Sequence, residues 1–283
     1  MVNPRIRFGP AGIPIQCDGR STLDGVRCCK ELGLDAMEIE FVQGVRLKET
    51  DAEKVRTVAE ELDISLSSHA PYFINFCSKE KEKIATSRRN LIQAAEITQA
   101  AGGRLTVFHP GFYQNQTKEE AFQRAAKNLR EVATYLKERK IKTMLGAETV
   151  GKPSQFGGLD EVLKLAHQVD GLLPVLDLAH MHARGDFNIK DEDAYRNIFS
   201  VVEKELGSYF KNFHFHFSEI EFTAKGERNH LPLGTRGIPP FKPLLKVLVE
   251  NGYSGTIISE SPKLDIDAQL MKTEYERLCA RLR

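Results

Sequence analysis

No tryptophan occurs in the 283-residue chain, and cysteine is scarce at five residues. Those five, Cys17, Cys28, Cys29, Cys77 and Cys279, form no C-x-x-C pair, so neither a zinc ribbon nor a thioredoxin-type redox motif is present. Cys28 and Cys29 are neighbours within a helical stretch and cannot easily bridge each other; reduced, mostly buried thiols are expected. No apolar run reaches membrane-spanning length, and residues 1–18 lack the basic start and apolar centre of a signal peptide. A cytoplasmic protein is therefore expected. An excess of one charge is missing too, since 40 Lys and Arg against 39 Asp and Glu leave +1. That balance neither requires nor excludes a nucleic acid, because a basic patch can sit on a neutral protein.

Short motifs that announce other chemistries are also absent. The chain contains no G-x-x-x-x-G-K-[ST], no G-x-G-x-x-G after a strand and no G-x-S-x-G elbow. Gly102-Gly103 and Gly157-Gly158 read as turns.

What is present is alternation. Short β-branched, apolar runs recur, each followed by a longer charged stretch of helical period. The spacing predicts strands at 6–8, 37–41, 64–68, 105–108, 143–147, 172–176, 213–217 and 256–259. Helices are predicted at 22–33, 52–62, 79–101, 118–139, 159–169, 191–206, 241–251 and 266–282. Ser21-Thr22 and Thr117 are suited to N-caps, and Gly33, Gly102-Gly103 and Gly252 to left-handed C-caps. Eight strand-helix units in this length have the count and size of a (β/α)₈ TIM barrel, expected as a single domain over 1–283.

Barrel active sites are built at the C-terminal ends of the strands. The third predicted strand ends in His69, the fourth in His109, the fifth in Glu148, the sixth in Asp177, the seventh in His214 or His216 and the eighth in Glu260. His180 follows three residues after Asp177, with His182 close by, and His230 lies in the long loop after strand seven. His214 and His216 share one strand face, and His216 is the nearer to the rim. His180 and His182 stand in what reads as a loop, where periodicity does not separate them. No lysine ends a strand, which leaves a Schiff-base aldolase without support. Carboxylates crowded at one rim repel and take up protons unless cations neutralise them. Mixed imidazole and carboxylate donors suit zinc, manganese or iron better than calcium or magnesium. With roughly three to five ligands per ion, these residues imply more than one metal.

Taken together, these positions resemble the endonuclease IV family of abasic-site endonucleases, within the xylose-isomerase-like metal-dependent barrels. The marks are His69-Ala70-Pro71-Tyr72 with Ile74-Asn75, Phe108-His109-Pro110-Gly111, Glu148-Thr149, Asp177-Leu178-Ala179-His180 with Gly185, His216 with Glu219, His230 with Leu233-Gly234, and Glu260-Ser261-Pro262. The resemblance implies a hydrolase with two or three zinc ions that cuts DNA on the 5′ side of abasic sites, acting as a monomer. It puts His69, His109 and Glu148 on a first ion, and has Glu148 bridge to a second held by Asp177, His216 and Glu260. His180 and His230 serve a third. Glu148 orients the nucleophile and Glu260 is ligand and proton acceptor. Tyr72 and Phe73 are the implied wedge in the base stack, and Arg46 the side chain entering a minor groove. Two departures stand out. The family has an acid two residues before the His230 equivalent, where this chain has Arg228 with Glu227 one residue further away. The loop over 41–47 is short and lacks the family's aromatic residue. The alternative implied by the wider set is a one-metal sugar isomerase or epimerase using Glu148, Asp177, His216 and Glu260 alone.

Overall fold

The computed structural model describes residues 5–281. Eight strands are present at the expected places: β1 (Ile6–Pro10), β2 (Ala36–Glu40), β3 (Ser65–His69), β4 (Leu105–Phe108), β5 (Met144–Glu148), β6 (Leu172–Asp177), β7 (Phe213–Phe217) and β8 (Gly255–Ser259). They form one sheet in the order β1-β8-β7-β6-β5-β4-β3-β2. Helices α1 (Thr22–Glu31), α2 (Glu49–Leu62), α3 (Lys81–Ala100), α4 (Lys118–Glu138) and α5 (Leu159–Gln168) follow the first five strands. After β6 come α6 (Leu178–Arg184) and α7 (Glu192–Leu206), and α8 (Phe241–Glu250) and α9 (Leu264–Arg281) complete the series. The fold is the expected (β/α)₈ TIM barrel. The predicted end of the last helix, Leu282, lies outside the described residues.

Two features differ from the sequence reading. The stretch holding His180 and His182 is the short helix α6 and not a loop. The long connection after β7 contains an antiparallel hairpin of strands Glu219–Thr223 and Gly226–Leu231, with His230 on its second strand. The predicted caps are where expected. Ser21 and Thr117 each close a capping box with the acid three residues on, and Gly33, Gly102 and Gly252 have positive φ. All five cysteines are free thiols, with Cys28, Cys29 and Cys77 buried.

By its contacts the chain divides into two compact units, Glu38–Val175 and the remainder, Met1–Met37 with Leu176–Arg283. In the first, Leu105, Val107 and Val175 pack together with Met144 against them. A buried hydroxyl chain ties strands to helix there. Thr98 of α3 lies 2.5 Å from Ser68 Oγ of β3, and Thr106 of β4 donates to it at 3.0 Å. Each hydroxyl is therefore satisfied inside the core, which is the condition for burying it without a large cost.

In the second unit, rings from α7, β7 and the turn before β7 interlock. Phe199 and Phe215 stack with centroids 5.7 Å apart, and Phe213 stacks on Phe215 at 4.2 Å. Strand β1 approaches the start of β2 backbone to backbone: Asp35 N–H donates to Phe8 O at 2.9 Å. A Cβ on Gly9 would lie 1.9 Å from Ala36 O, so only glycine permits this approach. Gly9→Ala is expected to destabilise the protein by at least about 1–3 kcal/mol, the usual cost of overpacking. Urea unfolding checks it, and a midpoint equal to wild type would contradict the close approach.

Candidate metal centre

In the Glu38–Val175 unit, β3, β4 and β5 deliver His69, His109 and Glu148. The ladder continues one step past β3, since Ala70 N–H donates to Val107 O at 2.8 Å and Phe41 N–H to His69 O at 2.9 Å. His69 is thus carried on fixed backbone. Nε2 of His69 and Nε2 of His109 each lie 3.0 Å from the same oxygen of Glu148, Oε2, and the two rings meet edge to face at 5.2 Å. Glu148 is fully buried.

Hydrogen bonding on the far side of His69 decides its chemistry. Nδ1 is 2.8 Å from Ala70 O, and a carbonyl only accepts, so Nδ1 carries a hydrogen. A neutral His69 then turns an Nε2 lone pair toward a carboxylate oxygen, which is repulsive unless a proton or a cation lies between them. Burial lowers the His69 pKa, but the Glu148 carboxylate outweighs it and, with Glu40 and Glu38, lifts the value to about 10. The donor set therefore suits a divalent cation: a buried carboxylate, two imidazoles and an outer carbonyl that fixes one ring's tautomer.

The other unit gathers a second group. Asp177 ends β6 and caps α6, its Oδ1 accepting from His180 N–H at 2.6 Å. This cap turns His180 inward on the first turn of the helix, with Nδ1 3.4 Å from Asp177 Oδ2. His180 Nε2 lies 3.1 Å from His230 Nε2 and 3.1 Å from Glu227 Oε2. His216 sits beside Asp177 in register across β6 and β7, with Nδ1 3.0 Å from Glu260 Oε1. Donor atoms of Asp177, His180, His230 and Glu260 lie within 4.8 Å of one another, as do those of Asp177, His216 and Glu260.

The members of the two open pairs have different surroundings. His182 accepts from Ile189 N–H through Nδ1 at 3.0 Å and rests against the edge of Phe222 at 5.0 Å. Burial also lowers its pKa. It is a packing residue, and His180 is the member of that pair facing the carboxylates. His214 lies two residues earlier on β7, beside Thr256, while His216 reaches Glu260.

The remaining marks sort into anchors and exposed groups. Asn75 is buried, and its Oδ1 accepts from Cys77 and Phe112 N–H, both at 3.1 Å; it fastens the loop after β3 to the loop after β4. Glu219 takes backbone N–H groups from Gly234, Arg236 and Gly237 at 2.6, 2.5 and 2.8 Å, which holds the turn after His230. Tyr72 and Phe73 are exposed at 56% and 47% and meet edge to face at 5.9 Å. Arg46 is exposed and within 3.5 Å of Gln43 Oε1. Glu227, the acid that the sequence offers beside Arg228, has Oε2 3.1 Å from His180 Nε2.

Comparison with known proteins adds family and fold. A profile of xylose isomerase-like TIM barrels matches residues 26–281. The chain is 39% identical over 272 residues to an uncharacterized protein of Methanocaldococcus jannaschii, covering 96% of this chain and 97% of that one. It is 30% identical to a probable endonuclease 4 of Mycoplasma pneumoniae, over 69% of this chain and 68% of the other. Among solved structures, endonuclease IV from Thermus thermophilus aligns with TM-score 0.69 at 18% identity, over 97% of this chain and all of that one (100%). A D-tagatose 3-epimerase-like protein aligns with TM-score 0.70 at 20% identity, over 93% and 96%. At such identities these two likenesses establish fold and no activity.

Cation uptake at His69, His109 and Glu148 by the metal-free protein is expected to release protons, because His69 holds its proton up to about pH 10. Affinity should then rise with pH through the neutral range. Titration calorimetry in two buffers of different ionisation enthalpy measures this, and equal heats in both would count against it.

Proposed function

The chain belongs to the xylose isomerase-like TIM barrel family, and from that premise we propose that it is a metal-dependent phosphodiesterase cutting DNA on the 5′ side of abasic sites. The observation that carries this reading is the pair of imidazoles on Glu148. A sugar isomerase of this superfamily with one ion employs Glu148, Asp177, His216 and Glu260, and leaves His69, His109, His180 and His230 with nothing to hold. A cluster of two or three zinc ions uses all eight. The relationship to proteins named probable endonuclease 4 adds weight in the same direction. Manganese or iron would suit the same donors.

Within this reading His69, His109 and Glu148 would hold one ion and Asp177, His216 and Glu260 another, with Glu148 proposed as a ligand of both. His180 and His230 complete a third position. Bound divalent cations supply Lewis-acid stabilisation of phosphoryl charge and make water a competent nucleophile near neutral pH. The protein's own part is to hold a dry, rigid donor array and to orient the nucleophile through Glu148, with Glu260 taking up a proton. Tyr72 and Phe73 supply apolar surface to wedge where a base is missing, and an abasic sugar leaves the helix at low cost because no base unstacks. Arg46 is assigned to the minor groove. A cytoplasmic monomer fits this reading.

The epimerase reading has one observation in its favour, the likeness in fold to epimerases, and metal content separates the two. Two or three ions per chain are expected, whereas one supports the epimerase. The zinc-loaded protein is expected to nick a duplex carrying a single abasic analogue and to lose that activity with chelator. Absence of nicking with zinc or manganese supplied would sink the proposal. Glu148→Gln is expected to reduce turnover by more than the roughly 10–100-fold typical of an outer-shell partner; a fully active variant removes Glu148 from its assigned role.

A further inference from the structure

We infer that Cys17 and Cys28 are a redox modification site, two thiols placed to join as a disulfide that clamps the loop after β1 onto α1. The inference is independent of the phosphodiesterase reading. Every residue it uses lies in the unit of Met1–Met37 with Leu176–Arg283, and none is a candidate metal donor.

The loop after β1, residues 11–20, lies along one face of α1. A Cβ on Gly25 would stand 3.3 Å from Ile13 Cγ1 and 3.5 Å from its Cα, so the main chain at Ile13 rests on the helix. Further along, the Cys17 thiol donates to the Asp24 carbonyl, Sγ to O 3.6 Å. Asp24 and Gly25 precede Cys28 by four and three residues, which puts them one turn before it on the same helical face. Helical side chains lean toward the N-terminus, so Cys28 is directed back over that turn, where Cys17 stands. The two thiols share a side-chain hydrogen bond. Cys29 is set about 100° further round the helix and is fully buried.

The loop is held in this place from several sides. Ser21 closes the capping box of α1 with Asp24, and Cys17 N–H donates to Pro14 O at 3.2 Å. Asp265 of α9 accepts from Ile15 N–H and from Gln16 Nε2, both at 2.7 Å. The backbone thus already holds the two thiols facing one another, which is the condition a disulfide sets.

Their exposures assign the roles. Cys17 is partly exposed and Cys28 is buried. Burial, and after it the Cys17 hydrogen bond, pushes the Cys28 thiol up to about 12, so it keeps its proton at neutral pH. Hydrogen peroxide therefore reacts at Cys17: sulfur takes one oxygen as the O–O bond breaks, giving a sulfenic acid and water. The Cys28 sulfur then displaces that oxygen, and its proton leaves with it as a second water. The thiol pair gives up two electrons and the peroxide accepts them.

The test uses the purified full chain, treated with hydrogen peroxide and then alkylated. Trypsin cuts after Arg20, Arg27 and Lys30, which separates Cys17 from Cys28 but leaves Cys28 and Cys29 on one peptide. Mass spectrometry is expected to find the Cys17 and Cys28 peptides linked, and the link lost with a thiol reductant. Cys29→Ala is expected to keep the link and Cys28→Ser to lose it. Tryptic cleavage of the native chain at the exposed Arg20 is expected to be slower after oxidation. A wild type without the linked peptide, or a link that survives Cys28→Ser, overturns the site. Equal cleavage rates before and after oxidation overturn the clamp.

Discussion

Burying the Glu148 carboxylate is the constraint that organises the rest of this site. An isolated ionised carboxylate away from water is too costly to persist, so it must be paired or neutralised. Here two imidazole nitrogens converge on one of its oxygens, and a backbone carbonyl fixes the hydrogen of one ring on the far side. A proton between ring and carboxylate balances the arrangement, and the donor set would suit a divalent cation in its place. Competition between that cation and the proton would tie its affinity to pH.

Such a donor set works only if its members cannot relax apart. His69 is held by backbone hydrogen bonds on both neighbouring strands, and the loops beyond the rim are fastened by buried side chains spent on main-chain N–H groups. Asn75 joins two loops, Glu219 takes three N–H groups of the turn after His230, and Asp267 accepts from Leu233 N–H at 2.8 Å. These polar residues are near enough to the rim to be taken for ligands from sequence. Their hydrogen bonds go to main-chain N–H groups, so they fix the loops around the rim.

The second group shows where local pattern ceases to inform. Seven residues of α6 are too few to establish a helical period, and they are dense in histidine, so the segment reads as loop. Its ends are set by the Asp177 cap and by Gly185 at positive φ. The hairpin strand Gly226–Leu231 reads as neither period because a bulge breaks its alternation. In both cases the deciding contacts come from outside the segment.

Local information was sufficient for the fold class. Period-two apolar runs followed by helical stretches are properties of neighbouring residues, and so is the presence of His69, His109, Glu148, Asp177, His216 and Glu260 at or just past strand ends. The caps at Ser21 and Thr117 are legible for the same reason, since a capping box spans four residues. Tertiary structure alone decided which nitrogen faces which oxygen, that His180 and not His182 turns toward the carboxylates, and that Glu227 reaches His180 while Arg228 is exposed. Those outcomes depend on how the hairpin pairs and packs against α6, where a one-residue shift exchanges the faces of a strand.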